Sequence, residues 1–252
     1  MFTGIFFDLH TWLYEMAMVS ARLMPAFILL PFFNNNTLTG AIRLPVALLT
    51  GSVLWPHTGE AIAGYDNIWF LILIGKELAV GLIIAGFLCL PCWVMHAMGS
   101  FIDNQRGATL SSSIDPLSGV DTSELANFFN LFAAVIVLQS GGLLLMLEVF
   151  EKSYQLWQPY QLDVPAYRTV LGFLTLVVKN GVILASPLII IFLLSELFLG
   201  LLARFAQQLN AFSLALTVKS IIGFLLLLLY FTPMLPDRIM DLRLYPVDLL
   251  GW

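Results

Sequence analysis

Apolar residues run along the chain in six long blocks, at residues 12–33, 41–55, 68–98, 125–150, 167–202 and 211–234. Each is far longer than a strand, and none alternates with the period of two that an outer-membrane barrel requires, so all six are read as helices. Turn-forming and polar residues separate them: Asn34-Asn35-Asn36, Pro56-His57-Thr58-Gly59, the Gly-, Ser- and Asp-rich residues 99–123, Gln158-Pro159, and residues 233–236.

Only two stretches, residues 78–102 and 125–147, are free of formal charge for the roughly 20 residues that a simple lipid-spanning helix needs. The other blocks carry Glu15, Arg22, Arg43, Lys76, Glu77, Lys179, Glu196, Arg204 and Lys219 within or beside apolar sequence. An ionised group facing lipid costs several kcal/mol, so these side chains are expected to face protein or water. Pro25, Pro31, Pro45, Pro91 and Pro187 add interior breaks, which membranes tolerate where neighbouring helices satisfy the freed carbonyls. The expected fold class is therefore an all-α membrane protein of kinked helices packed by protein, with a division near the polar residues 155–167.

Composition agrees. The 252 residues are 60% hydrophobic and 11% charged, against about half and a quarter in soluble domains. A soluble core of this length cannot hide so much apolar side chain. The formal charge of −5 comes from scattered acids and includes no basic patch, which sets nucleic-acid binding aside. Residues 1–10 hold Asp8 and no Lys or Arg, so the first block is expected to be a retained helix rather than a cleaved signal peptide. The basic residues are spread singly and fix no orientation.

Candidate chemistry is sparse. Cys89-Leu90-Pro91-Cys92 has the spacing of a redox or metal pair, with His96 a helical turn further on, but Leu, Phe and Trp surround it and a small buried hydrophobe is the better reading of each cysteine. Three isolated histidines and the lack of a nucleophile elbow or phosphate loop leave no enzyme to argue for, and no cofactor or metal is implied. Glu15 with Arg22 and Lys76 with Glu77 are structural pairs before they are a proton relay, since no second carboxylate and histidine share their depth. Residues 99–123 are more informative: a polar, hydroxyl-rich stretch between the two uncharged runs, returning at Asp121-Thr122-Ser123-Glu124 as a helix cap with acids in the first turn. Composition alone leaves a solvated connection and an adaptable functional loop both open.

Asp103-Asn104-Gln105-Arg106-Gly107, followed by Asp115-Pro116, resembles the signature of the SctT/FliR family of type III secretion and flagellar export apparatus proteins, its injectisome branch in particular. The resemblance continues through Pro31-Phe32-Phe33-Asn34, Trp93-Val94-Met95-His96-Ala97, Ala185-Ser186-Pro187, Leu194-Ser195-Glu196, Arg204-Phe205-Ala206-Gln207-Gln208-Leu209-Asn210-Ala211-Phe212 and Leu216-Thr217-Val218-Lys219, and covers nearly the whole chain. It implies kinked helical hairpins forming one subunit of a helical export-gate assembly. Residues 1–157 would be SctR-like and include a channel loop at 99–122; residues 158–252 would be an SctS-like hairpin and tail. The loop residues Asp103, Asn104, Gln105, Arg106, Gly107, Ala108, Thr109, Leu110, Ser111, Ser112, Ser113, Asp115 and Pro116 would help to close a channel for unfolded secreted proteins. Glu196, Arg204, Gln207, Gln208, Asn210 and Lys219 are the implied subunit contacts.

Implied partners are SctR-like and SctS-like subunits, with SctU-like and SctV-like subunits, the inner rod or needle base, secreted substrates in transit and membrane lipid. The implied location is the bacterial inner membrane, multi-pass, with part of the assembly on the periplasmic side. The competing reading is a polytopic secondary transporter with Lys179, Glu196 or Lys219 coupling an ion, but the two halves show no matching pair of broken helices. A third, an insertase for other subunits, needs a hydrophilic groove that the pattern does not place.

Overall fold

Where the apolar blocks break decides how this chain packs. The structure, a computed structural model, describes residues 2–33, 38–56, 67–107, 123–205 and 211–251. It is all-α among the described residues: α1 (Phe2–Leu29), a 3₁₀ turn (Pro31–Phe33), α2 (Gly40–Leu54), α3 (Asn67–Leu88), α4 (Leu90–Arg106), α5 (Glu124–Gln139), α6 (Gly142–Leu156), α7 (Tyr167–Phe205), α8 (Ala211–Leu226), a π-helical turn (Leu227–Phe231), α9 (Thr232–Asp241) and a final 3₁₀ turn (Asp248–Gly251).

Both uncharged runs are interrupted, so neither is the straight span its length suggested. The first breaks at Cys89, between α3 and α4, because Pro91 has no N–H to continue the helical ladder and disfavours helix just before it. The freed end is reused: the Cys89 thiol donates to the Leu29 carbonyl at the end of α1 (3.1 Å). The second breaks at Ser140-Gly141, where Gly141 has φ +81°, a left-handed conformation that glycine adopts without penalty. Arg243 covers this break, donating to the Ser140 carbonyl (3.0 Å) and hydroxyl (3.1 Å).

Among the described residues, two helices are long and apolar enough to cross a membrane, 68–88 within α3 and the whole of α7, and up to four segments qualify if each bent pair is one span. These are charge-bearing helices, α3 with Lys76 and Glu77, α7 with Lys179, Glu196 and Arg204. The 39 residues of α7 measure about 58 Å at 1.5 Å per residue, nearly twice the roughly 30 Å of a hydrocarbon core.

The chain groups into two compact units, Met1–Leu90 with Leu138–Phe173 and Arg243–Trp252, and Pro91–Val137 with Leu174–Leu242. In the first, α1 is held between α2, which meets its side chains closely, and α3, which meets its backbone. A Cβ on Gly51 of α2 would lie 2.0 Å from Val19 Cγ1, and one on Gly81 of α3 would lie 2.0 Å from the Arg22 carbonyl oxygen. Such contacts are available to glycine alone.

Close approach at Gly81 brings Glu77, one turn earlier on the same face of α3, against Arg22. The two form a bidentate pair, Nε to Oε2 at 2.5 Å and Nη2 to Oε1 at 2.9 Å, with both side chains fully buried. Lys76 joins Glu77 (2.8 Å), so two cations share one carboxylate. The excess charge meets the end of α6: Arg22 donates to the Trp157 carbonyl (2.8 Å) and Ser153 hydroxyl (3.3 Å), Lys76 to the Gln158 carbonyl (2.6 Å), the negative end of that helix dipole. The guanidinium also lies 4.1 Å from the Tyr154 ring centroid. Arg22 therefore pairs with Glu77 rather than Glu15, and α1, α3 and the exit of α6 are joined at one point.

Because Glu77 is the carboxylate that both buried cations contact, Glu77→Gln should destabilise the protein by about 3–5 kcal/mol. Lys76→Met removes the surplus charge and keeps the bidentate pair, leaving one carbonyl unmet at about 1–3 kcal/mol. Thermal unfolding in detergent should order the variants in that sequence; equal losses would mean that the charge balance is irrelevant to the fold.

Candidate functional site

The polar stretch singled out in the sequence begins in the last turn of α4 and ends at the cap of α5, both in the second unit. These helices touch at Gly99, where a Cβ would lie 2.6 Å from the Ala126 Cα and 2.7 Å from the Leu125 carbonyl oxygen. One turn beyond Gly99, on the same face, stands Asp103, 1% exposed.

Its carboxylate joins both ends of the segment 108–122. Oδ1 accepts from Arg106 Nε at 2.7 Å, in the turn where the chain leaves α4. Oδ2 accepts from the Ser123 hydroxyl (2.5 Å) and the Leu125 amide (3.0 Å), where the chain enters α5. Ser123 itself caps the Ala126 amide (3.2 Å). A helix N-terminus has unbonded amides and a positive dipole end, so a buried carboxylate there is doubly satisfied. Gly107 closes α4 with φ +74°, its amide bonded to the Asn104 carbonyl (3.2 Å). The departure from α4 and the return to α5 are thus fixed to one side chain.

A second group holds the departing end. Lys219 of α8 is buried and donates to the Gln105 carbonyl (3.2 Å) and to Glu196 Oε2 of α7 (2.9 Å). Gln105 O is one of the last carbonyls of α4, which no helical amide reaches. Gly223, one turn after Lys219, sits where a Cβ would lie 3.0 Å from the Phe192 ring of α7, keeping the two helices close enough for the bridge. Arg106 completes the arrangement with its guanidinium 5.6 Å from the Phe224 ring centroid of α8.

Of the sequence-predicted residues, Asp103, Gln105, Arg106, Glu196 and Lys219 are thus brought together. Asn104 is exposed on the final turn of α4, and Arg204 is exposed near the end of α7. Ala108, Thr109, Leu110, Ser111, Ser112, Ser113, Asp115, Pro116, Gln207, Gln208 and Asn210 lie outside the described residues. Glu196 and Lys219, expected at subunit contacts, bond to each other; Glu196 keeps a 59% exposed side chain. Ser123, the return cap, was legible as such, but its tie to Asp103 twenty residues earlier had no local signal. Both cysteines are buried and neither is in a disulfide, while His96 is exposed, and among the described residues no group of three His, Cys, Asp or Glu side chains is placed to hold a metal.

The profile of bacterial export proteins, family 1, matches residues 13–242. Over its whole length the chain is 47% identical to the surface presentation of antigens protein SpaR of Salmonella typhimurium, covering 96% of that protein. The SpaR of Shigella flexneri is 48% identical over 86% of this chain and 85% of its own. The Yop proteins translocation protein T of Yersinia pestis is 30% identical, with 91% of each chain covered.

The two anchors should differ in weight. Asp103→Ala uncaps α5 and strands Arg106, a loss of about 2–3 kcal/mol; Lys219→Met frees a carboxylate that is already more than half exposed, a loss of about 1 kcal/mol. Hydrogen exchange of the Leu125 and Ala126 amides should quicken in Asp103→Ala and stay unchanged in Lys219→Met. Equal protection in both variants would mean that the Asp103 cap contributes nothing to the start of α5.

Proposed function

This chain belongs to the bacterial export proteins, family 1, in the SpaR branch of the SctT/FliR proteins, and from that membership we propose that it is a core subunit of a type III secretion export gate in the bacterial inner membrane. In this reading it lines part of a protein-conducting channel, and residues 99–122 help to close that channel until unfolded substrates pass. It supplies shape; the energy for transport comes from other components.

The observation that carries the closure role is the Asp103 clamp. A simple surface connection needs no buried carboxylate joining its two ends, whereas a segment that must return to one place after yielding needs a fixed base. Small and hydroxyl side chains at Ala108, Thr109, Ser111, Ser112 and Ser113 suit a closure that yields without breaking large apolar contacts. Residues 1–157 are proposed to pack as an SctR-like part and 158–252 as an SctS-like hairpin and tail, beside SctR-like and SctS-like subunits, with SctU-like and SctV-like subunits and the inner rod or needle base in contact and part of the assembly on the periplasmic side. Exposed Glu196 and Arg204, with Gln207, Gln208 and Asn210, are proposed to meet those partners, Lys219 taking part through Glu196.

Deleting residues 108–113 tests the closure role, since the clamp and the helix packing remain. The complex, co-expressed with its SctR-like and SctS-like partners, should assemble in normal amount and conduct small ions through liposomes at rest. An assembled complex that stays as tight as the intact one would reduce residues 108–113 to a connection. Failure to recover any complex with those partners would remove the subunit assignment itself.

A further inference from the structure

A cleft of about 510 Å³ opens in the second unit between α7 and α9, away from the clamp. Two stripes at helical spacing face each other across it: Asn180, Ile183, Leu184 and Pro187 on α7, and Met234, Arg238 and Asp241 on α9. It exists because both helices deviate. Pro187 interrupts the ladder of α7, with Ser186 Oγ meeting the freed Ile183 carbonyl at 2.7 Å, and the π-helical turn bends the end of α8 by 68° into α9. Leu235 and Ile239 turn the other face of α9 into the core, which leaves the Met234–Arg238–Asp241 stripe toward the cleft.

Arg238 and Asp241 are exposed, stand one turn apart on this rim, and form no ion pair with each other. Opposite charges at that spacing ordinarily pair on an open helix surface. Unpaired with each other, they present a cation and an anion side by side above an apolar floor. The cleft also sits where polarity changes along α7: Lys179-Asn180 is followed by residues 181–200, in which Glu196 is the one formal charge, a length of about 30 Å that matches a hydrocarbon core.

We propose that this cleft is a binding site for a zwitterionic phospholipid whose headgroup carries a primary ammonium, of the phosphatidylethanolamine class. Its phosphate sits on the Arg238 guanidinium, its ammonium on the Asp241 carboxylate, and one acyl chain runs over Ile183, Leu184, Pro187 and Met234. The volume is that of a small-molecule site. Asp237 adjoins Arg238 on the same helix, so α9 bears two carboxylates against one guanidinium here, a balance that disfavours a purely anionic headgroup and favours one with its own cation.

The assembled complex, extracted from membranes in mild detergent and exchanged into nanodiscs containing phosphatidylethanolamine or phosphatidylglycerol, provides the test by native mass spectrometry. Retention of phosphatidylethanolamine in preference to phosphatidylglycerol is expected, with about tenfold weaker retention in Arg238→Ala and in Asp241→Ala, the loss of one charge-assisted hydrogen bond each. Met234→Trp, which fills the floor and leaves the charges, should also release the lipid. Equal retention of the two lipids, or no response to the three variants, overturns the proposal. So does efficient cross-linking of Arg238→Cys to a neighbouring subunit in membranes, which would make the cleft a protein contact. These readouts do not involve channel closure, so they stand or fall separately from the deletion of residues 108–113.

Discussion

A carbonyl group left without a donor in an apolar setting costs on the order of 1–3 kcal/mol, and this chain creates many, because its helices stop inside apolar sequence. Its cations meet that cost. Arg43 donates to the Phe33 carbonyl, Arg22 to Trp157, Lys76 to Gln158, Lys219 to Gln105 and Arg243 to Ser140. Each acceptor lies at or just beyond a helical segment's C-terminal end, where the helix dipole also favours positive charge. Five of the eleven Lys and Arg residues are therefore placed by helix ends. Broken helices and buried charges, which look like two separate oddities of a membrane protein, are one feature, because the breaks supply the acceptors that make the charges tolerable.

Reaching those acceptors requires close helices, and glycine provides them one turn from the charged residue. Gly81 follows Glu77 by four residues, Gly99 precedes Asp103 by four, and Gly223 follows Lys219 by four, each at a point where a Cβ would meet a neighbouring helix at 3.0 Å or less. The i,i+4 spacing puts the glycine and the charge on one face. The glycine sets the distance between backbones, and the charge then fixes their register. Replacing such a glycine would move the helix and unpair the charge together, so the contact and the ion pair act as a unit rather than as additive contributions.

The helical blocks, the kinking and the special character of residues 99–123 were legible in the sequence because they depend on local composition and period. The cap at Ser123 and the position of Arg106 beside Asp103 are local as well. What escaped was of two kinds. Ser140-Gly141-Gly142 carried a break signal that the apolar run outweighed, so residues 125–150 were read as one helical block, whereas Pro91 was already read as a break inside the other uncharged run. Arg22 with Glu77, 55 residues apart, and Lys219 with Gln105, 114 residues apart, had no signal in one sequence, since nothing in the period of a helix names its neighbour. The sharing of one carboxylate by Arg22 and Lys76 follows from the approach of α1 to α3 at Gly81, which is visible only once the helices are packed.

With Arg22, Lys76, Glu77, Asp103 and Lys219 satisfied inside the chain, the surface left for other molecules is strongly apolar. The long helix α7 exposes Leu171, Leu174, Val178, Ile190, Leu193, Leu197, Phe198 and Leu201, and its 58 Å or so exceeds what one bilayer can cover. Apolar contact supplies attraction but little register, because a helix shifted by one turn along another leucine surface loses few contacts. In the proposed assembly, the exposed charges at Arg168, Lys179 and Arg204 would break that degeneracy. A shift of one turn, about 5.4 Å, would leave each of them facing hydrocarbon without its partner, at several kcal/mol apiece. A few charges on an apolar helix therefore select one alignment far more sharply than they strengthen it.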